Sequence, residues 1–203
     1  STYYKEDAGK LLFGCLEKRA KPWALDGIPR DFCFDSLPED LDHFEPILTA
    51  ALKRFPLLET AGIQLFFNGP ESFTPDGNAL MGETPELRNL FVACGMNTVG
   101  VMTGGAMGLM MAEWISARRR PEGFAEYDVA RFSPFQSGRS YVRDRRVEAL
   151  GVLYDIAWPN REHASARGGR RLPLHGSHQV AHAIFGNRAG WEVPLVFAPR
   201  AEL

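Results

Sequence analysis

Cysteine is scarce: Cys15, Cys33 and Cys94 are far apart, and no C-x-x-C pair occurs. An odd, scattered set argues against a disulfide scaffold or a structural zinc site and fits a reducing compartment. Long hydrophobic runs are also lacking. No stretch reaches the ~18 apolar residues of a membrane span. The longest candidate, Val99 to Ile115, is broken by glycines and Glu113. Nor is there a charge excess, with 23 basic against 25 acidic residues and a net charge of −2. Neither nucleic acid nor an acidic membrane is therefore expected as a partner. Ser1–Glu6 has neither the basic nor the apolar region of a signal peptide and reads like the middle of a fold entered on a strand. The dinucleotide fingerprint G-x-G-x-x-G, the P-loop, G-x-S-x-G and H-E-x-x-H are all missing. No repeat of solenoid length is visible.

What remains is a chain of 203 residues, 45% hydrophobic, able to bury a real core as one large domain or one domain with a small appendage. It is organised around Phe91 to Ile115. The short apolar run Leu90–Cys94 predicts a buried strand. Gly95 ends it where a backbone conformation closed to side chains is needed. Asn97 and Thr98 are both candidate caps for the long apolar helix that follows. Gly100, Gly104, Gly108 and Ala112 recur every four residues and leave one helix face almost bare. Mid-helix glycine costs about 1 kcal/mol relative to alanine, so a sheet, another helix or a flat cofactor is expected to pack very close. The first turn of such a helix also presents free N–H groups and the positive end of its dipole to an anionic group.

Around this centre the elements follow local signals. Glu6–Gly9 is a polar turn between Thr2–Lys5 and Lys10–Leu16, which suits a β-hairpin. Ser36-Leu-Pro-Glu39 carries the signature of a helix start, and Leu41, Phe44, Ile47, Leu48, Ala51, Leu52 and Phe55 form its apolar stripe. Pro46 lies within it, where proline tends to kink a helix. Ala61–Phe67 predicts a strand, and Pro75-Asp76-Gly77 a turn. Arg118-Arg-Arg-Pro121 closes the central helix with cations at its negative end and a proline stop. Composition changes from Phe124. Ser140–Tyr154 predicts a helix, Trp158–Arg171 a loop, and Pro173–Phe185 a short helix.

Two groups of side chains invite a chemical reading. His175, His178 and His182 have helical spacing, but no positioned carboxylate accompanies them, and no metal site is assigned. Tyr3 and Tyr4 alternate across a strand, so one of them faces inward. An inward tyrosine is ordinarily a core residue with a satisfied hydroxyl.

The ordered series Phe73-Thr-Pro-Asp-Gly77, Met81-Gly-Glu83, Leu90-Phe-Val-Ala-Cys-Gly95 and the Gly100–Gly108 helix resembles the dimethylglycine and sarcosine dehydrogenases. These are flavin-dependent amine oxidoreductases of the D-amino-acid-oxidase-like fold. The likeness continues through Asp128-Val-Ala-Arg-Phe132, Arg171-Leu-Pro-Leu-His175 and Gly190-Trp-Glu-Val-Pro194, and it covers nearly the whole chain. It implies a mixed α+β / α/β chain in two parts. Residues 1–122 would be the C-terminal part of an FAD and substrate domain, and residues 123–203 a small, mostly helical linking domain. The Rossmann strand of the family is absent, as is the folate-binding, aminomethyltransferase-like half expected after Pro199. A chain of this span alone is therefore expected to lack the seat for the ADP half of FAD and to be inactive.

By position, Tyr3 matches a tyrosine beside the substrate amine, whose partner histidine would lie upstream of Ser1. Met96, Asn97, Thr98, Val99, Gly100 and Val101 match the loop that touches the isoalloxazine ring. Met102 falls where simpler sarcosine oxidases carry a lysine, which favours a dehydrogenase passing electrons to an acceptor protein. The resemblance implies FAD as cofactor, with tetrahydrofolate only for the missing half, and hydride transfer from an N-methyl carbon to the flavin. It also implies a small N-methyl amino acid as substrate and the remaining parts of the same enzyme as partners. The location would be the cytoplasm, or the mitochondrial matrix in a eukaryote. Arg139-Ser-Tyr-Val-Arg-Asp-Arg145 is similar as well to the regulatory subunit of pyruvate dehydrogenase phosphatase, so a non-catalytic regulatory paralogue is the rival reading.

Overall fold

A computed structural model describes residues 2–156 and 161–197. Strands β1 (Thr2–Asp7) and β2 (Lys10–Cys15) pair antiparallel, with Tyr4 opposite Phe13. The expected hairpin is present. Its turn, Ala8-Gly9, has positive φ at both residues, the twist that a two-residue hairpin needs. Tyr4 is the inward tyrosine. It stacks on Phe13 and meets Phe55 at 4.5 Å between centroids, while Phe13 and Phe66 both pack on Phe44. This aromatic chain ties the hairpin to helix α1 (Leu41–Arg54).

The start of α1 differs from the expectation at Ser36. The cap is Asp40, whose carboxylate accepts the His43 amide at 3.1 Å. Pro38 precedes the helix instead of opening it, and Pro46 is carried inside it. Ala61–Phe67 is a second correction, because it forms no strand. No strand ladder forms beside it among the described residues, and its backbone is met only at its edge, where Leu37 N–H reaches Asn68. A strand needs a partner, which apolar alternation alone does not supply.

Strands β3 (Leu80–Glu83) and β4 (Phe91–Cys94) form a second antiparallel pair, followed by helix α2 (Gly100–Ala117). The core lies between them: Met81, with no exposed surface, packs with Ala79, Met111 and Trp114. The Trp114 indole covers Gly82, where a Cβ would stand 2.5 Å from the ring and φ is +105°. Only glycine fits there. The strand predicted as buried is half open, for Ala93 and Cys94 are exposed. A two-stranded sheet leaves an edge and part of a face uncovered.

Beyond α2 the chain returns to the same core, since Met81 N–H donates to Tyr127 O at 2.8 Å. The Arg131 guanidinium grips both carboxylate oxygens of Asp76, at 2.7 and 2.9 Å, and also donates to the carbonyls of Asn78 and Ala79. Helix α3 (Arg139–Leu153) then lies so close to the early loop that a Cβ on Gly151 would strike the Lys18 carbonyl. A three-stranded sheet of order β5-β7-β6 follows, made from β5 (Arg170–Arg171), β6 (Ala183–Arg188) and β7 (Trp191–Phe197). Pro194 is accommodated beside a bulge between β6 and β7. The short helix expected over Pro173–Phe185 is limited to α4 (His175–Val180), because Ala183–Phe185 is drawn into β6. Of the loop expected over Trp158–Arg171, residues 158–160 lie outside the described residues, and Arg170–Arg171 is β5.

Candidate functional site

The turn between β4 and α2 is built around Asn97. Gly95 leaves β4 at φ +63°, and Asn97 and Thr98 follow at +50° and +68°. Val99 N–H closes the turn on Met96 O at 3.1 Å. Consecutive left-handed residues are the signature of a type I′ turn, in which glycine is common and a β-branched residue such as Thr98 is an outlier. Such a residue costs on the order of 1–3 kcal/mol unless its surroundings hold it.

They do hold it. Asn97 is 2% exposed, and its side chain is consumed inside the protein. Its Oδ1 accepts the Thr74 N–H at 2.8 Å, and its Nδ2 donates to Gly95 O at 2.6 Å. The Thr74 hydroxyl in turn donates to Asn78 O at 2.8 Å. Thus the turn preceding β3 and the turn after β4 are one hydrogen-bonded unit. Thr98 is held from elsewhere: its hydroxyl pairs with the Tyr154 hydroxyl at the C-terminal end of α3.

Neither Asn97 nor Thr98 caps α2, contrary to the sequence expectation. The cap position is Val99, which offers no side-chain acceptor, and no acidic residue occupies the first turn. The positive φ values turn both side chains away from the helix, so the amides of Gly100, Val101 and Met102 have no side-chain cap. Val101 and Met102 stand in the open, 103% and 80% exposed. Val101 borders a concavity of about 370 Å³ whose other walls include Glu71, Ser72, Met96 and Thr98. Partial desolvation pushes the Glu71 carboxyl up, and the facing Thr98 amide pulls it the other way.

The bare face of α2 is not packed as expected. A Cβ built on Gly104, Gly105 or Gly108 meets nothing within 4 Å, and Leu109 is exposed nearby. Met111, two turns on from Gly104 and on the same side of the helix, is buried together with Trp114, so full burial is found only in the C-terminal half of α2. Helical spacing showed which side was smooth but not how far along it the cover extends.

Tyr3 lies outside this cluster. It sits on β1, 54% exposed, with its ring laid over Gly14 across the hairpin. No hydrogen bond or ring contact links it to Met96–Val101. Two of the three histidines pack on aromatic rings: His175 lies tilted against Phe185 and His178 meets Phe197 edge-on. Among the described residues no group of three or more His, Cys, Asp or Glu is arranged to hold a metal. No helix among them is long and apolar enough to cross a membrane. Glu71 and Tyr154 are the members of the site that sequence reading missed. Glu71 had no spacing to mark it, and Tyr154 stands 56 residues from its partner.

Comparison with known proteins gives this geometry a setting. Residues 1–114 match the FAD dependent oxidoreductase family model, and residues 123–171 match the FAD dependent oxidoreductase central domain. A 4-methylaminobutanoate oxidase (formaldehyde-forming) of Paenarthrobacter nicotinovorans is 40% identical over 192 residues, 95% of this chain and 23% of that protein. The mitochondrial sarcosine dehydrogenase of Mus musculus is 36% identical over 201 residues, 98% of this chain and 22% of its own length. The mitochondrial pyruvate dehydrogenase phosphatase regulatory subunit of the same organism is 36% identical over 197 residues, 97% and 22%. The chain thus spans less than a quarter of these relatives. With more than half of its residues inside the first model, the chain belongs to the FAD dependent oxidoreductase family.

Proposed function

We propose that this chain is part of a flavin-dependent enzyme that oxidatively demethylates N-methyl amino acids such as dimethylglycine or sarcosine. The observation that carries the reading is the uncapped first turn of α2, with Val101 lining a hollow and Met102 exposed next to it in sequence, in a chain of this family. The donor set fits a flavin ring. Free main-chain amides and the helix dipole suit a pyrimidine edge that becomes electron-rich, while Val101 and Met102 suit an apolar ring face. Met96, Asn97, Thr98, Val99, Gly100 and Val101 would hold the ring, Asn97 through its main chain because its side chain is spent internally. When bound, FAD supplies the two-electron acceptor for the substrate's N-methyl C–H bond.

Tyr3, a half-exposed residue of β1, is assigned to the substrate amine, which its hydroxyl would orient. The division at residues 122 and 123 marks the FAD-associated part from the linking part, the second continuing into a tetrahydrofolate-binding half. The other parts of the same enzyme and an electron-acceptor protein are the partners. The names of two relatives support a mitochondrial matrix location if the source is eukaryotic, and the cytoplasm otherwise.

A second reading has its own observation. The phosphatase regulatory subunit is as similar as the sarcosine dehydrogenase, at 36% identity each. One experiment separates the two: purify the full-length gene product and record its visible spectrum before and after anaerobic addition of dimethylglycine or sarcosine. A flavin band that bleaches with either amine supports the enzyme. A protein that leaves its flavin oxidised with both amines, or that holds none, supports the regulatory paralogue.

A further inference from the structure

The turn at Asn97-Thr98 places a threonine where the backbone favours glycine, with φ +68°. The strain is held by a contact that comes from the far side of the sequence. Tyr154 is the C-cap residue of α3, and its own N–H is tied to Leu150 O at 3.3 Å. Leu153 beside it stands 3.6 Å from where a Cβ on Gly77 would be. From this anchored position the Tyr154 hydroxyl meets the Thr98 hydroxyl and stands 3.5 Å from Asn97 O. One proton arrangement serves both contacts: Thr98 donates to Tyr154, and Tyr154 donates to the Asn97 carbonyl. The Asn97 side chain is meanwhile fixed by Thr74 and Gly95. Both left-handed residues are therefore held, one by the first part of the chain and the other by the second.

We propose that Tyr154 is a positioning residue for the Met96–Val101 loop: delivered by α3, its hydroxyl holds the strained Thr98 turn and so aims the uncapped amides at the start of α2. The linking part of the chain is then a component of the cofactor site, although none of its residues need touch the cofactor. This inference rests on the proposed flavin function only for what the amides are aimed at.

The test uses the full-length gene product, with FAD and dimethylglycine as probes, and the variants Tyr154→Phe, Thr98→Gly and Thr98→Ser. In Tyr154→Phe the amides of Met96–Val101 should exchange about fivefold faster, the factor that one lost hydrogen bond carries. Those of β6 and β7 should keep their rates, and the visible band of the bound flavin should shift. Thr98→Gly should reproduce both changes with no fall in thermal midpoint, because glycine removes the strain as the contact is lost. That variant answers the question even if Tyr154→Phe folds poorly. Thr98→Ser retains a hydroxyl and should match wild type in both readouts. Unchanged exchange in Tyr154→Phe and Thr98→Gly would overturn the proposal. Faster exchange without a band shift would also overturn it, leaving Tyr154 a structural contact only. A wild-type protein without flavin would sink the proposed function, while the exchange rates still decide whether Tyr154 holds the turn.

Discussion

Two turns in this molecule have nearly the same backbone and opposite chemistry. Ala189-Gly190, between β6 and β7, has φ values of +48° and +82°, and Asn97-Thr98, between β4 and α2, has +50° and +68°. At the first, glycine takes the second position and the turn needs no side-chain help beyond Asn187 Oδ1, which accepts Gly190 N–H at 3.1 Å. At the second, the strain falls on a threonine, and side chains from two distant segments hold it. A turn that only reverses a strand can be written in backbone terms alone. A turn that breaks its local rule marks a place where side chains have another task.

The surroundings of the two turns differ just as much. Next to the first, Glu192 is buried on β7 and receives Arg167 Nε and Gly168 N–H at 2.9 and 2.8 Å. At the second, Asn97 and Thr98 are held directly by amide and hydroxyl groups, and the Arg131–Asp76 ion pair lies one step further out, where an Asp76 carboxylate oxygen stands 3.3 Å from the Thr74 hydroxyl. Charge acts directly beside the first turn and only through Thr74 at the second.

The largest effect expected from breaking this contrast is at Glu192. Glu192→Ala leaves the Arg167 guanidinium and the Gly168 amide without their acceptor, and urea unfolding should show a loss of about 3 kcal/mol. The amides of Met96–Val101 should be little changed in hydrogen exchange at denaturant concentrations where the variant remains folded. Next comes the turn itself. Gly190→Thr gives the hairpin the residue pattern of the other turn without its holding contacts, and a Cβ there would stand 2.8 Å from the Phe135 ring. A destabilisation of about 2 kcal/mol is expected from strain and overlap, measured by thermal unfolding.

The smallest effect is at Glu71, whose pH dependence should run opposite to that of Glu192. Arg167, helped by the Gly168 amide, holds Glu192 down to about 2 in the folded chain from an ordinary 4.5. Its stabilisation is complete above the unfolded value and is lost as pH falls from 4.5 towards 2. Glu71 is shifted upward, so its protonated form is the one favoured by folding. That contribution is present below the unfolded value and lost as pH rises through the folded one. Glu71→Gln should therefore raise the thermal midpoint slightly at neutral pH and lose that advantage in acid. An equal response of Glu71→Gln and wild type at every pH would remove the contrast.

The elements that were legible beforehand are those whose signals are local. The Glu6–Gly9 hairpin, the long helix after Gly95 and the helix near Ser140 follow from turn residues and apolar runs within a few positions of one another. So does the mixed helix and strand character of the chain. The Met96–Val101 loop was proposed as the cofactor loop from the series around Phe73–Gly77 and Leu90–Gly95, because the order of motifs is readable without their contacts. Ala61–Phe67 misled because a strand is defined by its neighbour. The glycine face of α2 misled because a smooth surface and a covered one have the same sequence.

The sequence by itself determined that a hairpin opens the chain, that a long helix follows Gly95 and another lies near Ser140, and which family the motifs resemble. Only the tertiary structure decided that Asn97 turns inward to Thr74, that the first turn of α2 is left uncapped, and that Tyr154 reaches Thr98. The physical reason is range. Propensity and capping act within a turn of chain, whereas a hydrogen bond between residues 56 apart exists only after both elements have packed.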